Sequence, residues 1–290
     1  DTVFAIAFIK VLGLSCKYSL ISDVSGTDVI YSSKLQNDEN FKSLFKSEGL
    51  EVQAKSSVFC LALIRNYFTA SYVINELKRI AKVFNNYRHN EYEQKIVFKA
   101  TLRFSFVERI IPGENKKSNL RRYYEDLKIS VPWLKNDPHF WLQYGMANIT
   151  FKEYPKAQQF FEQSYSLAQK RSGYHTSNID TQQARLHLLV AMQEKDSAKM
   201  YDGFDKCHRL LDRLDNDVYK FRQVEKYRDF YEVAFGHLSK KNKVNFQHAC
   251  NSMRSEINNA VDSGELNLTE QGSVKKAKNN LDHVLESMNR

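Results

Sequence analysis

Residues 140–169, FWLQYGMANITFKEYPKAQQFFEQSYSLAQ, carry two apolar stripes of helical period separated by a short hinge. Two helices on so short a hinge must return antiparallel and bury their stripes together, which directs the chain towards packed helix pairs. Asp137-Pro138 opens the first helix. The Asp carboxylate accepts amide protons left over at a helix start, and Pro at the first position has none to waste. Trp141, Tyr144, Gly145 and Asn148 share one face, and the helix ends near Lys152. Pro155 opens the second helix, whose inward stripe is Ala157, Phe160, Phe161, Ser164 and Ala168. Gly inside a helix costs about 1 kcal/mol relative to Ala, so Gly145 is expected where another helix approaches closely.

Breakers are scarce elsewhere: four prolines and ten glycines in 290 residues. Long helices therefore run with few interruptions. Val3, Ala7, Lys10 and Leu14 share a face of a first helix ending near Gly13, and YSLISDVSG is a second, ending at Gly26. KLQNDENFKSLFKS reads as a third, with Leu35, Phe41, Leu44 and Phe45 inward. Residues 49–55 alternate Leu50 and Val52 against Glu51 and Gln53, a strand or hairpin arm. SSVFCLALIRNYF and ASYVINELKRIAKVF follow as helices. NEYEQKIVFKATLRFSFVERII is expected as one long helix on Val97, Ala100, Phe104, Val107 and Ile111. Residues 112–119, PGENKKSN, read as a linker because they have no apolar period. LRRYYEDLKI then turns Leu120, Tyr123, Tyr124 and Leu127 inward.

Beyond the quoted pair, NIDTQQARLHLLVAMQ places Ile179, Ala184, Leu188 and Ala191 inward and pairs with SAKMYDGFDKCHRLLDRL. YKFRQVEKYRDFYEVAFGHL pairs with NFQHACNSMRSEINNAV. GSVKKAKNNLDHVLESMNR closes the chain, with Val274, Leu281, Leu285 and Met288 on one face and charge on the other, as a terminal capping helix requires.

Two resemblances follow. The spacing of Trp141, Gly145, Tyr154, Ala157 and Phe161 resembles the tetratricopeptide repeat, a helix–turn–helix unit of about 34 residues. It departs from that pattern at Asn148, and no proline closes the unit near Gln169. Three short helices followed by a strand-like arm resemble a winged helix. The expected fold is all-α: a winged-helix-like bundle over residues 1–112, then tetratricopeptide-like hairpins, an α-solenoid, over residues 113–290.

NDPHFWLQYGMANITFKEYPKAQQFFEQSYSLAQKR with YHTSNIDTQQARLHL resembles the C-terminal region of bacterial STAND-type NTPases. FIKVLGL with VQAKSSVFCLALIRNYF resembles the winged-helix-like part that follows their ATPase core. The resemblance implies a cytoplasmic, bacterial module of antiphage defence. It would sense a protein trigger downstream of an ATPase that uses ATP and Mg and oligomerises on activation. Within this chain no cofactor is expected, since it has no GxxxxGK[ST] loop to cradle phosphate.

The remaining chemistry points away from catalysis in these residues. The net charge is +9, with 15 basic and 11 acidic side chains in residues 1–112 and 28 and 23 beyond. The excess is spread evenly rather than gathered in a stripe, so nucleic acid is not the expected partner. In KLQNDENFKSLFK, Asp38 and Glu39 oppose phosphate. Cys16, Cys60, Cys207 and Cys250 never form CxxC pairs and are expected as reduced, buried thiols. HExxH, GxSxG and GxGxxG do not occur, and there is no apolar run of membrane-spanning length. The first residues lack a charged start and a cleavage site, so they are no signal peptide, and the chain reads as part of something longer. His89, His139, His187 and His208 read as surface or capping residues. On a helix Cys207 and His208 point about 100° apart, poor geometry for a nucleophile and its base. Arg222, Glu225, Lys226 and Asp229 read as a solvated, weakly paired face. The candidate partner-binding residues are Arg121, Arg122 and Tyr123, beside an aromatic cluster of Tyr124, Trp133, Phe140, Tyr144 and Tyr154. The expected role is a sensor that binds a protein trigger. The alternatives are a helical-repeat scaffold joining two proteins, or a winged-helix regulator of DNA.

Overall fold

The computed structural model describes residues 1–86 and 92–289, so His89 lies outside the described residues. The protein is mostly helical, with one two-stranded sheet among the described residues. It divides into two compact units, Asp1–Ala147 and Asn148–Arg290. The boundary expected at 112/113 thus falls inside the first unit.

The first unit is built on α1 (Thr2–Val11), where every residue from Phe4 to Ile9 is fully buried. A helix apolar on all sides has no solvent face and must lie at a core centre. It packs against α2 (Tyr18–Ser25) and α5 (Ser57–Tyr67). Gly26, at φ 70°, ends α2 in the left-handed conformation that glycine adopts without steric cost. The expected third helix is two helices, α3 (Ser33–Asn37) and α4 (Glu39–Leu44). Asp38 makes the break, because its carboxylate accepts the Phe41 amide at 2.9 Å and caps α4.

Phe45, expected in the helix, instead begins β1 (Phe45–Glu48), which pairs antiparallel with β2 (Glu51–Ala54) through the tight turn at Gly49 and Leu50. Phe45, Val52 and Ala54 are buried while Lys46, Glu51 and Gln53 face water. The chain between α1 and α2 adds to the other edge of β2. Tyr18 donates its amide to the Leu50 carbonyl at 2.8 Å, and Val52 donates to Cys16 at 2.9 Å.

α6 (Ala70–Phe84) buries Val73, Ile74, Leu77, Ile80, Ala81 and Phe84 against α7 (Tyr92–Leu102) and α9 (Lys116–Ser130). The long helix expected across residues 90–111 is broken at Arg103 into α7 and α8 (Phe104–Ile110). Tertiary hydrogen bonds stabilise the break. Tyr123 and Tyr124 donate their hydroxyls to the carbonyls of Thr101 at 2.6 Å and Leu102 at 3.0 Å, and the Phe104 amide donates to Gln143 Oε1 at 2.9 Å. Groups that a continuous helix would have paired internally find partners here from α9 and from α10 (Pro138–Thr150).

The expected linker is also shorter than its composition suggests. Lys116 already opens α9, and its ammonium donates to the carbonyls of Ile111 and, at 2.6 Å, Glu108 at the end of α8. A cation there satisfies carbonyls that the helix leaves over. Leu120, Tyr123, Tyr124 and Leu127 are all fully buried, as their period required.

At the end of α10, the Lys152 amide donates to Ile149 at 3.0 Å and that of Glu153 to Asn148 at 2.9 Å. These two bonds form a Schellman cap with Lys152 at φ 59°, a position usually taken by glycine.

The second unit continues through α11 (Tyr154–Gln169), α12 (Ser177–Ala191) and α13 (Ser197–Asp212), with α12 packed against both neighbours. Ile179, Ala184, Leu188 and Ala191 are buried as expected. The close helix approach demonstrable in this unit is at Gly203 of α13, where a Cβ would lie 2.8 Å from Ala191 Cβ and 3.3 Å from the His187 carbonyl. Phe204, one residue on, stacks on Phe230 at 4.8 Å and meets Phe246 edge-on at 4.7 Å.

The expected single helix over residues 219–238 is α14 (Val218–Val224), α15 (Tyr227–Ala234) and a 3-10 turn. The break falls at Glu225. That residue is buried, its carboxylate facing Lys276 at 3.3 Å, and its carbonyl accepts Asn280 Nδ2 at 2.9 Å. Both partners come from α17 (Gly272–Met288), so Glu225 is not on a solvated face. α16 (Lys240–Asp262) and α17 close the unit, with Val274, Leu281 and Leu285 buried. Lys220, 1 % exposed, donates to the Leu214 carbonyl, Asn216 Oδ1 and Glu256 Oε2 at 3.0, 3.2 and 2.5 Å. These bonds answer all three of its N–H donors.

Candidate functional site

The structure buries four of the aromatic residues proposed as partner anchors and leaves Trp133 and Tyr154 half-buried. Tyr123 is fully buried, its hydroxyl committed to Thr101, which corrects its place among the partner-binding candidates. Tyr124 and Phe140 are also fully buried, and Tyr144 nearly so. Tyr144 stacks on Tyr124 at 4.9 Å and donates to Glu125 Oε1 at 2.8 Å. Burial and that carboxylate push the Tyr144 phenol up from its ordinary range. Two tyrosines adjacent in sequence normally face different ways, but α9 buries both because its two neighbouring carbonyl acceptors lie at the α7 break. Arg121 and Arg122 are exposed. Among the described residues the exposed aromatics are elsewhere: Tyr31, Tyr67, Tyr92 and Tyr219.

Of the repeat residues, Ala157 and Phe161 are fully buried, Gly145 is buried and Tyr154 is half-buried. Trp141 donates its indole N–H to the Lys135 carbonyl at 2.8 Å, with the Lys128 ammonium 5.7 Å from its ring centre.

Among the described residues, one concave feature with convergent polar groups is an open groove of about 450 Å³ across α11, α12 and α13. Gln158 and Tyr165 of α11 form one side. Asp180, Gln183 and His187, on one face of α12 at i, i+3 and i+7, form the floor. Lys206, Arg209 and Leu210 of α13, with Arg213 just past its end, form the other side.

The floor is largely hydrogen-bonded. Asp180 accepts the Tyr165 hydroxyl at 2.6 Å on one oxygen and that of Thr176 at 2.8 Å on the other. Gln183 Nε2 donates to Gln158 Oε1 at 2.7 Å and lies 3.0 Å from His187 Nε2. Burial, reinforced by Lys206, holds the His187 imidazole below its usual range. A neutral ring accepts the Gln183 amide proton. Gln183 Oε1 has no partner although the side chain is 4 % exposed.

On the α13 side, Lys206 pairs with Asp202 at 2.6 Å and Arg209 with Asp205. Arg213 is exposed and has no ion pair among the described residues. Sequence reasoning missed this groove because its residues belong to three helices whose register only packing fixes. The one legible signal was the i, i+3, i+7 polar row Asp180, Gln183, His187.

Cys207 is fully buried, and its neighbour His208 turns away to place Nδ1 3.0 Å from the Tyr227 hydroxyl and stack on Phe204. Burial pushes the Cys16 thiol up to about 12 and the Cys60 thiol to about 11. Among the described residues no group of three His, Cys, Asp or Glu side chains is placed to hold a metal ion. No single described helix is long and apolar enough to cross a membrane.

Compared with known proteins, the chain matches no protein-family model, no curated protein and no solved structure.

Proposed function

We propose that this chain is the sensor and regulatory region of a STAND-type defence NTPase, binding a protein trigger through its C-terminal unit. The observation that carries the reading is the polar, cation-edged groove on α11, α12 and α13, a surface suited to recognition. The N-terminal unit supports it. Its order of helix, short extended segment, three further helices with a 3-10 turn among them, and a hairpin, with the extended segment beside β2, is compatible with a winged helix. The packed pair α12–α13 and the polar-faced α17 are compatible with tetratricopeptide-like stacking. ATP and Mg would be bound by an ATPase elsewhere in the parent protein.

Reading the coding sequence upstream of Asp1 is the test. A phosphate-cradling GxxxxGK[ST] loop there supports the assignment, and an upstream region without one removes the STAND part and leaves a helical-repeat scaffold. A winged-helix regulator of DNA predicts duplex binding that weakens steeply between 50 and 200 mM salt. That result would displace the protein-binding reading.

A further inference from the structure

We propose that the outer edge of β1 pairs antiparallel with β1 of a second copy of this chain, centred on Ser47. This contact lies in the N-terminal unit and is independent of the protein-trigger reading above.

The hairpin register fixes which backbone groups are free. Val52 donates its N–H to the Cys16 carbonyl, so its backbone groups point away from β1. Its partner across the hairpin is Ser47. Directly opposed residues of an antiparallel pair turn their backbone groups inward together or outward together, so Ser47 also points its N–H and C=O away from the ladder. Neither group has a hydrogen-bond partner among the described residues. Phe45, two residues back, has the same outward phase; its N–H is taken by the Phe41 carbonyl at the end of α4, and its C=O is left over. Lys46, Glu48 and Gly49 are exposed, so this edge lies at the surface. Unpaired strand edges are templates for another strand.

Charge selects the occupant and the register. A two-fold axis at Ser47 gives the two Ser47 residues reciprocal backbone bonds. It also sets Lys46 of each copy directly opposite Glu48 of the other. At that non-hydrogen-bonded position the Cα atoms lie about 4.5 Å apart, so the side chains meet. Lys46 already pairs with Glu48 along its own strand, and Gln53 donates to the other Glu48 oxygen at 2.5 Å. An ionised carboxylate has about four acceptor sites, so Glu48 keeps room for a second cation. The four charges then alternate in sign around the axis. An axis centred on Lys46 or on Glu48 instead would set like charges face to face, and so would in-register parallel pairing. A lone lysine blunts an edge strand, whereas a lysine and a glutamate two residues apart make it self-complementary. The interface is isologous and only four residues long on each side, so the dimer is a weak one.

The test is sedimentation velocity of the full chain from about 10 µM to about 1 mM protein in about 50 mM salt. The parent chain is expected to self-associate across this range. Lys46→Glu and Glu48→Lys, both at exposed positions, are each expected to weaken association about ten-fold. An equimolar mixture of the two variants is expected to recover it, because every facing pair is then opposite in charge. Amide hydrogen exchange is the second readout, and the Ser47 amide should become protected as the concentration rises. A parent chain that stays monomeric at the highest concentration overturns the proposal. So does either variant associating as the parent does, or a mixture that associates no better than its components. Association that leaves exchange at Ser47 unchanged also overturns it, because the copies would then meet through another surface.

Discussion

Gly203→Ala is the most direct probe of how the C-terminal unit is packed. The added Cβ would sit 2.8 Å from Ala191 Cβ, 3.3 Å from the His187 carbonyl and 3.4 Å from Ala191 Cα. Carbon atoms rest at about 3.5–4.0 Å, so the closest contact falls short by roughly 1 Å. Two of the three neighbours are backbone atoms, and the third is fixed directly to backbone, so relief requires α13 to move as a body. Overpacking of this kind costs about 1–3 kcal/mol. Against it, Ala is better than Gly in a helix interior by about 1 kcal/mol. The net expectation is a loss of about 1 kcal/mol, or about 2–4 °C in melting temperature for a unit of this size. Urea denaturation followed by circular dichroism measures it. The decisive variant is the double substitution Gly203→Ala with Ala191→Gly, which removes the facing methyl. A coupling energy of about 1 kcal/mol or more is expected from that cycle. If Gly203→Ala is as stable as the parent chain, or more so, or if the cycle shows no coupling, the close approach of α12 and α13 is refuted.

Lys152→Gly should stabilise the protein by about 1 kcal/mol, because it removes a side chain from a left-handed cap position at φ 59°; a lower urea midpoint would contradict the Schellman geometry. All four cysteines are buried and free, so a thiol reagent at pH 8 should label none of them in the native chain and all four in denaturant; fast native labelling would place one at the surface. His139, His187 and His208 are held below the usual imidazole range, chiefly by burial. Their neutral forms are favoured by folding, so that contribution is fully present above the unfolded pKa of about 6.5 and is lost as pH falls through their lowered folded values. Urea midpoints should therefore decline from pH 7.5 to pH 5.5, and a flat profile would show that the three rings are solvated.

The sequence by itself determined the all-helical class and most buried faces. The stripe Ile179, Ala184, Leu188 and Ala191 and the stripe Leu120, Tyr123, Tyr124 and Leu127 are buried as their periods required. Gly26 and Asp137 could be read as helix boundaries because they act on the backbone within a few residues of themselves. A helical period is a local property of neighbouring side chains, so it survives without knowledge of the fold. The tertiary structure decided where helices stop when the signal is not local. α7 ends at Arg103 because Tyr123, Tyr124 and Gln143, from 20 to 40 residues away, receive or supply the freed backbone groups. α14 ends at Glu225 because Lys276 and Asn280 meet it there. It likewise turned Tyr123 from a candidate anchor into a core residue, since one helical period cannot distinguish an apolar face that meets a partner from one that meets the rest of its own chain. The groove was beyond sequence reading for the same reason: Gln158, Gln183 and Arg213 become neighbours only through the packing of three helices, and no spacing along the chain encodes that register.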